Sequence, residues 1–180
     1  MLGVRYGYSF CTVSSSPTVG EGYIYCPMNF SLLYTYYHAL WDQLFNFGVQ
    51  FGVKYGEEGY ASKYEQWGER YKIVEVPLVS QFKIDFSRFR LLVNAGGYYG
   101  YRLSTERESG WDRYDLRHDY GILAGAGLAV VFKPFEIQIE GNYKYSLCSI
   151  YHTNKFSDEY WMLCYPRNIM LSVGLFVHLW

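Results

Sequence analysis

From Phe135 to Leu147 every odd position is apolar, aromatic or glycine, and every even position is polar or charged. A strand sends successive side chains to opposite faces, so this segment has one greasy and one wet face along its whole length. The alternation recurs from Phe45 to Tyr55, again with no charge on the apolar side. Runs of about ten residues suit a tilted strand crossing a bilayer. Pattern and turn signals together predict eight strands, at roughly 2–13, 27–38, 44–56, 71–84, 88–103, 118–132, 135–148 and 167–180. The connections alternate: 39–43, 85–87 and 133–134 read as tight turns, and 14–26, 57–70, 104–117 and 149–166 as long polar loops. An even-stranded antiparallel meander with short turns at one end and long loops at the other is the arrangement of an outer-membrane β-barrel, with turns and termini in the periplasm. The fold expected is therefore all-β, an eight-stranded up-and-down transmembrane barrel forming one domain over 1–180.

Composition sharpens this picture. Half the residues are hydrophobic and 21% aromatic, with 21 Tyr and 12 Phe. Mean hydropathy is only −0.13, because a barrel strand spends alternate positions on a polar lumen. A net charge of −1 without a basic cluster argues against a nucleic-acid partner. The strand-like N-terminus implies that an export signal has been removed or omitted. Lipid-facing parity places Tyr8, Phe10, Tyr55, Tyr99, Tyr101, Tyr143 and Tyr145 at the outer ends of strands, and Trp41, Phe45, Phe89, Phe132 and Phe135 at the periplasmic ends, giving two aromatic girdles.

Opposite parity sends Arg5, Lys54, Glu75, Lys83, Arg90, Glu136, Glu140 and Lys144 into the lumen, with Asn46, Gln50, Gln81, Asn94, Gln138 and Asn142. An eight-stranded barrel is wide enough only for side chains to fill, so these groups are expected to neutralise one another and not to line a pore.

Two further stretches carry a family resemblance. Tyr71–Lys83, with Glu75, Pro77 and Leu78, followed by Leu91–Arg102, rich in Ala, Gly and Tyr, resembles the PorT-like outer-membrane β-barrel proteins of the Bacteroidota. Asp119–Leu128 and Met170–Trp180 resemble that family's sixth and eighth strands. The resemblance implies fold and compartment, and for function an association with protein secretion or outer-membrane assembly. One departure is that Leu171, Val173, Leu175, Val177 and Leu179 form the closing apolar face, leaving Trp180 with the opposite parity.

The chemistry-bearing residues are few. Cys11 and Cys26 bracket the first long loop and Cys148 and Cys164 the last, so intraloop disulfides 11–26 and 148–164 are expected in an exported chain, against a competing pairing across the seam. Cys148, His152 and Cys164 fall short of a closed metal set. Ser104, His118 and Asp119, or His152 with Asp158, would be the candidates for a loop-borne active site, but no nucleophile elbow accompanies them. Gly125 to Gly127 lies within a strand and makes no nucleotide loop. Tyr60, Tyr64, Trp67, Trp111, Arg113, Tyr114 and Trp161 give the loops the residue types of an interaction surface. The reading is a non-catalytic outer-membrane protein without cofactor or metal, surrounded by lipid and serving as a scaffold subunit of an envelope complex. The alternatives are a lipid- or peptide-modifying enzyme and a narrow channel.

Overall fold

The computed structural model describes residues 1–16, 21–41, 45–62, 68–107, 109–155 and 163–178. Its strands are β1 (Leu2–Ser16), the two-residue β2 (Glu21–Gly22), β3 (Ile24–Trp41), β4 (Phe45–Ser62), β5 (Gly68–Phe86), β6 (Phe89–Thr105), β7 (His118–Phe132), β8 (Phe135–Ser146) and β9 (Leu163–Val177). Each long strand pairs antiparallel with its sequence neighbours, and β1 also pairs with β9 from Leu2↔Val177 to Ser16↔Leu163, which closes the barrel with eight long strands. Closure matters physically, since inside hydrocarbon every backbone N–H and C=O must find a partner within the protein.

The alternation read from the sequence appears as a strict burial pattern. In β1 Leu2, Val4, Tyr6, Tyr8 and Phe10 face out, while Gly3, Arg5, Gly7, Ser9 and Cys11 face in. In β8 Phe135, Ile137, Ile139 and Tyr143 face out, and Glu136, Gln138, Glu140, Asn142 and Lys144 face in. The outward set is apolar and exposed, and the inward set is polar and buried. That inversion of a soluble protein's pattern is what a bilayer as solvent selects. Both girdles are present: Tyr8, Phe10, Tyr99, Tyr101 and Tyr143 are exposed at the outer ends, and Phe89, Phe132 and Phe135 at the inner ends. The side chains of Trp41 and Phe45, and residues 179–180, lie outside the described residues.

Two of the expected loops are shorter than their composition suggested. The stretch 57–70 is largely a continued hairpin, in register to Ala61↔Gly68, and β1 and β3 reach into 14–26. Gly, Glu and Lys there read as loop chemistry, but Glu58 and Tyr60 are inward positions of β4 continuing the same parity as Lys54. The inner turns match expectation: Ser87–Arg88 links β5 to β6, with Ser87 at φ 56°, and Lys133–Pro134 links β7 to β8.

The periplasmic end of the lumen is closed by an apolar floor of Met1, Leu33 and Phe176, with Tyr37 packed against it. Gly3 makes this floor fit, because a Cβ there would lie 2.2 Å from the Phe176 ring.

Candidate functional site

Three tiers of polar side chains fill the lumen. Nearest the periplasm, Arg90 donates through Nε to Asp85 (2.6 Å) and through Nη1 to Glu136. Glu136 also accepts from Gln138 (2.8 Å) and lies 3.0 Å from His178 Nε2. Lys83 has no ion pair among the described residues and instead stands 4.0 Å above the Tyr37 ring. In the middle tier Tyr37 donates to Gln81, Gln81 to Asn94 (2.9 Å), and Asn94 to Glu140 (2.8 Å). Arg5 neutralises that carboxylate at 2.6 Å.

The outer tier is denser. Lys54 pairs with Glu75 at 2.8 Å, and Lys144 contacts both Glu58 and Glu75 and lies 3.5 Å from Asp119. Three acceptors match the three N–H bonds of an ammonium. Asp119 also accepts from Ser146 and from Tyr98 (3.3 Å), and Arg102 stands 3.3 Å away. Arg102 is fully buried, donates to the Leu116 carbonyl at 2.7 Å and lies 5.2 Å from the Tyr71 ring. Donor oxygens of Glu58, Glu75 and Asp119 lie within 4.8 Å of one another, the spacing of an oxygen-ligand cation site. Lys54, Lys144 and Arg102 already balance these three carboxylates, so the cluster carries its own cations. Between the outer and middle tiers lies a cavity of about 50 Å³, bordered by Arg5, Lys54, Glu75 and Lys144 on one part and by Leu33, Val79, Leu123 and Met170 on the other, so that its wall is mainly apolar.

The expected lumen pairs thus form for Arg5, Lys54, Glu75, Arg90, Glu136, Glu140 and Lys144. Lys83 uses an aromatic ring instead of a carboxylate. Sequence reasoning misses Glu58, which falls in the stretch expected as loop, and Arg102 and Asp119, which lie in expected strands but outside the expected lumen set. Parity counted onward from Lys54 in β4, from Asn94 in β6 and back from Gly121 in β7 places all three inside.

Above the lumen the outer segments form a cap. Glu69 accepts from Tyr60 (2.6 Å), Thr105 (2.7 Å) and Arg107, and Arg107 bridges to Asp115 at 3.1 Å, which Lys155 also contacts. Backbone bonds Leu116 N–H to Ile150 O (2.9 Å) and His152 N–H to Tyr114 O (2.8 Å) join the β6–β7 and β8–β9 loops, with Asp115 and Tyr151 in bridge register. Val13, Tyr60, Tyr71, Ile150, Tyr151 and Cys164 pack beneath as an apolar lid. Burial pushes the Asp115 carboxyl up, but Lys155, the Asp112 amide and Arg107 outweigh it and hold it below the usual carboxylate range.

This divides the expected interaction surface. Tyr60 is buried and structural, a correction to its reading as a contact residue, because its hydroxyl is spent on Glu69. Trp111 packs against the lid, with Arg117 5.3 Å from its ring. Arg113 and Tyr114 are exposed and, with His152, Thr153 and Asn154, line a hollow of about 330 Å³. Tyr64, Trp67, Asp158 and Trp161 lie outside the described residues. Neither expected disulfide, 11–26 or 148–164, is formed: Cys11 and Cys26 are buried in hydrogen-bond contact with each other, while Cys164 Sγ accepts from Tyr151 at 2.8 Å. His118 and Asp119 point to opposite faces of β7. His118 meets Tyr99 (2.6 Å) on the lipid side, whereas Asp119 is fully buried in the lumen, so adjacency in sequence does not make them a pair.

No family model and no curated protein matches the chain. Among solved structures it is similar to neisserial surface protein A, with a TM-score of 0.55 and 16% identity over 98% of this chain and 96% of that one. It is also similar to Ail, the attachment invasion locus protein of Yersinia pestis, in complex with the heparin analogue sucrose octasulfate (0.49, 17%, 97% of each). A third is the outer membrane enzyme PagL (0.45, 11%, 93% and 97%). At such identities the likeness is one of fold. A closed eight-stranded meander with an apolar, aromatic-girdled wall and a polar, charge-balanced interior is an integral β-barrel of the bacterial outer membrane.

Proposed function

We propose that the chain is a non-catalytic scaffold subunit of a larger envelope assembly that meets its partner through the outer cap. The observation carrying this reading is that the two longest outer loops are bonded to each other and to the barrel by the Glu69–Arg107–Asp115–Lys155 chain. A preformed surface with Arg113, Tyr114 and His152 around one hollow results. Pre-ordered loops bind without a large ordering cost, and Tyr and Arg are favoured contact residues. The resemblance to PorT-like proteins makes a secretion or assembly complex the partner class. Against a channel stands the filled lumen, and the pure protein in planar bilayers is expected to show no stable conductance. Against the enzyme reading stands the placement of His118 and Asp119 on opposite faces of β7, which keeps that histidine away from the Ser146 hydroxyl that Asp119 holds.

The test is mild-detergent purification of the tagged protein from its host, beside an Arg113→Ala/Tyr114→Ala variant. A protein partner recovered with the parent and lost with the variant is expected. Stoichiometric partner retained by the variant would move the interface away from the cap.

A further inference from the structure

The lumen cations are matched by carboxylates or a ring, but among the described residues Arg70 and Lys72 at the outer end of β5 form no ion pair. Outward positions of β5 run Val74, Val76, Leu78, Ser80, Phe82 and Ile84, end in the inner aromatic girdle with Phe86 beside Phe89, and change to Lys72 and Arg70 at the outer end. From Val74 to Ile84, at ~3.3 Å per residue and a ~40° tilt, the row is about 25 Å tall, the height of an outer-membrane hydrocarbon belt. Lys72 is therefore the first side chain above the hydrocarbon, at the depth of lipid headgroups.

At this level lies a cleft of about 160 Å³ lined by Glu57, Arg70, Tyr71, Lys72, Ser104, Thr105 and Glu106. A register shift shapes it. Lys72 pairs with Ser104 but Ile73 pairs with Arg102, so Leu103 is an extra residue in β6 and Ser104 is turned to the same outward face as Lys72. Lys72 is in cross-strand register with Glu57, yet it forms no ion pair among the described residues. Arg70 donates one Nη2 bond to the Tyr25 carbonyl at 3.2 Å and keeps a buried Nε without a partner. Two under-used cations and a free hydroxyl at headgroup depth suit a phosphate oxygen. The carboxylates of Glu57 and Glu106 at the margin suit the several hydroxyls that a sugar ring holds in fixed positions around its phosphate. Below the cleft, Val74, Val76, Tyr101 and Leu103 offer an apolar wall for acyl chains.

We propose that this cleft binds the phosphorylated sugar headgroup of an outer-leaflet glycolipid, with Arg70 and Lys72 on the phosphate and the outward wall of β5 and β6 against the acyl chains. The inference rests on the membrane placement of the barrel and is independent of the scaffold reading.

The full chain is refolded into detergent and titrated with lipid A, with the same glycolipid stripped of its phosphates, with phosphatidylglycerol and with inorganic phosphate, and bound lipid is counted by native mass spectrometry. Lipid A is expected to bind most tightly, and Arg70→Gln/Lys72→Gln to weaken it by roughly tenfold or more. Arg88→Gln, an exposed cation of the inner β5–β6 turn at the opposite end of the barrel, should leave binding unchanged, and heat-modified gel mobility checks that each variant is folded. Equal binding of the dephosphorylated glycolipid, preference for phosphatidylglycerol, binding of inorganic phosphate that displaces no lipid, or a folded double variant that binds as the parent does would each overturn the proposal.

Discussion

The lumen and the cap use the same chemistry in two solvents. Lys144 with Glu58, Glu75 and Asp119 sits on hydrogen-bonded strands with every partner's side chain at 8% exposure or less. Arg107 with Glu69 and Asp115 sits on the rim, its own side chain 28% exposed. Distances in the two networks are similar, so distance does not set their worth. What differs is whether a charge that loses its partner can turn to water. In the lumen it cannot, and the cost of a broken pair is the desolvation of the ion left behind. At the rim it can, and exposed pairs contribute little.

The largest effect is expected from Lys144→Met, which leaves three buried carboxylates short of a cation and should cost about 3–5 kcal/mol in reversible urea unfolding from lipid vesicles. Adding Glu75→Gln should recover part of the loss. A cost below about 1 kcal/mol would mean that water in the lumen relaxes the charge as it does at the rim, and the contrast would fail.

The outer wall gives the next test. Ile139→Arg, near the middle of β8 and facing lipid, should destabilise by ~2–4 kcal/mol, against ~0–1 for Leu147→Arg near the outer interface. Equal costs at the two depths would contradict the membrane placement.

The thiols sharpen the comparison further. Cys11 and Cys26 face each other in the lumen, whereas Cys164 is held by Tyr151 under the cap. Mild oxidation of the folded protein should link Cys11 to Cys26 first, closing a loop for which chain-entropy models give about 3 kcal/mol. Peptide mapping without reductant reads this out. A Cys11–Cys164 link is not expected, since Cys164 stands opposite Ser15 and Cys11 opposite Asn168. Finding 148–164 alone would reverse the expected order.

The smallest effect belongs to the cap. The Asp115 carboxyl is depressed in the folded protein, so its contribution is present above the ordinary carboxylate pKa and is lost as pH falls through the lower folded value. Protection factors for hydrogen exchange in 109–117 and 149–155, corrected for the intrinsic rate at each pH, should therefore fall on acidification to about pH 3, and Asp115→Asn should produce the same loosening at neutral pH, each worth about 1 kcal/mol or less. Barrel amides should not change. Global unfolding in place of local opening would show that cap and lumen form one cooperative unit.

Much of this was legible from alternation alone. The outward faces of β1, β8 and β9, the inward placement of Arg5, Glu75, Glu140 and Lys144, and the short inner turns all follow from counting by twos along the chain. The count failed where composition was allowed to override it. Gly and Glu crowd 56–59 and suggest a loop at Glu58 and Tyr60, yet the hairpin continues and both side chains turn inward. Adjacency in sequence suggests His118 and Asp119 as partners in a loop-borne site, although neighbours in a strand never share a face.

The sequence by itself determined the solvent on each side of the wall, because a period of two needs no long-range information. Closure into eight strands and the compartment follow from the same pattern with the alternating connection lengths. Only the tertiary structure decided which cation meets which carboxylate, since Lys144 in β8 reaches Glu58 in β4 and Glu75 in β5 across the lumen. It also decided that Lys83 settles on the Tyr37 ring, that the Leu103 bulge turns Ser104 outward beside Lys72, and that Cys11 lies against Cys26. These depend on shear, tilt and bulges, which set how strands far apart in sequence are staggered around the barrel, and no local pattern encodes that stagger.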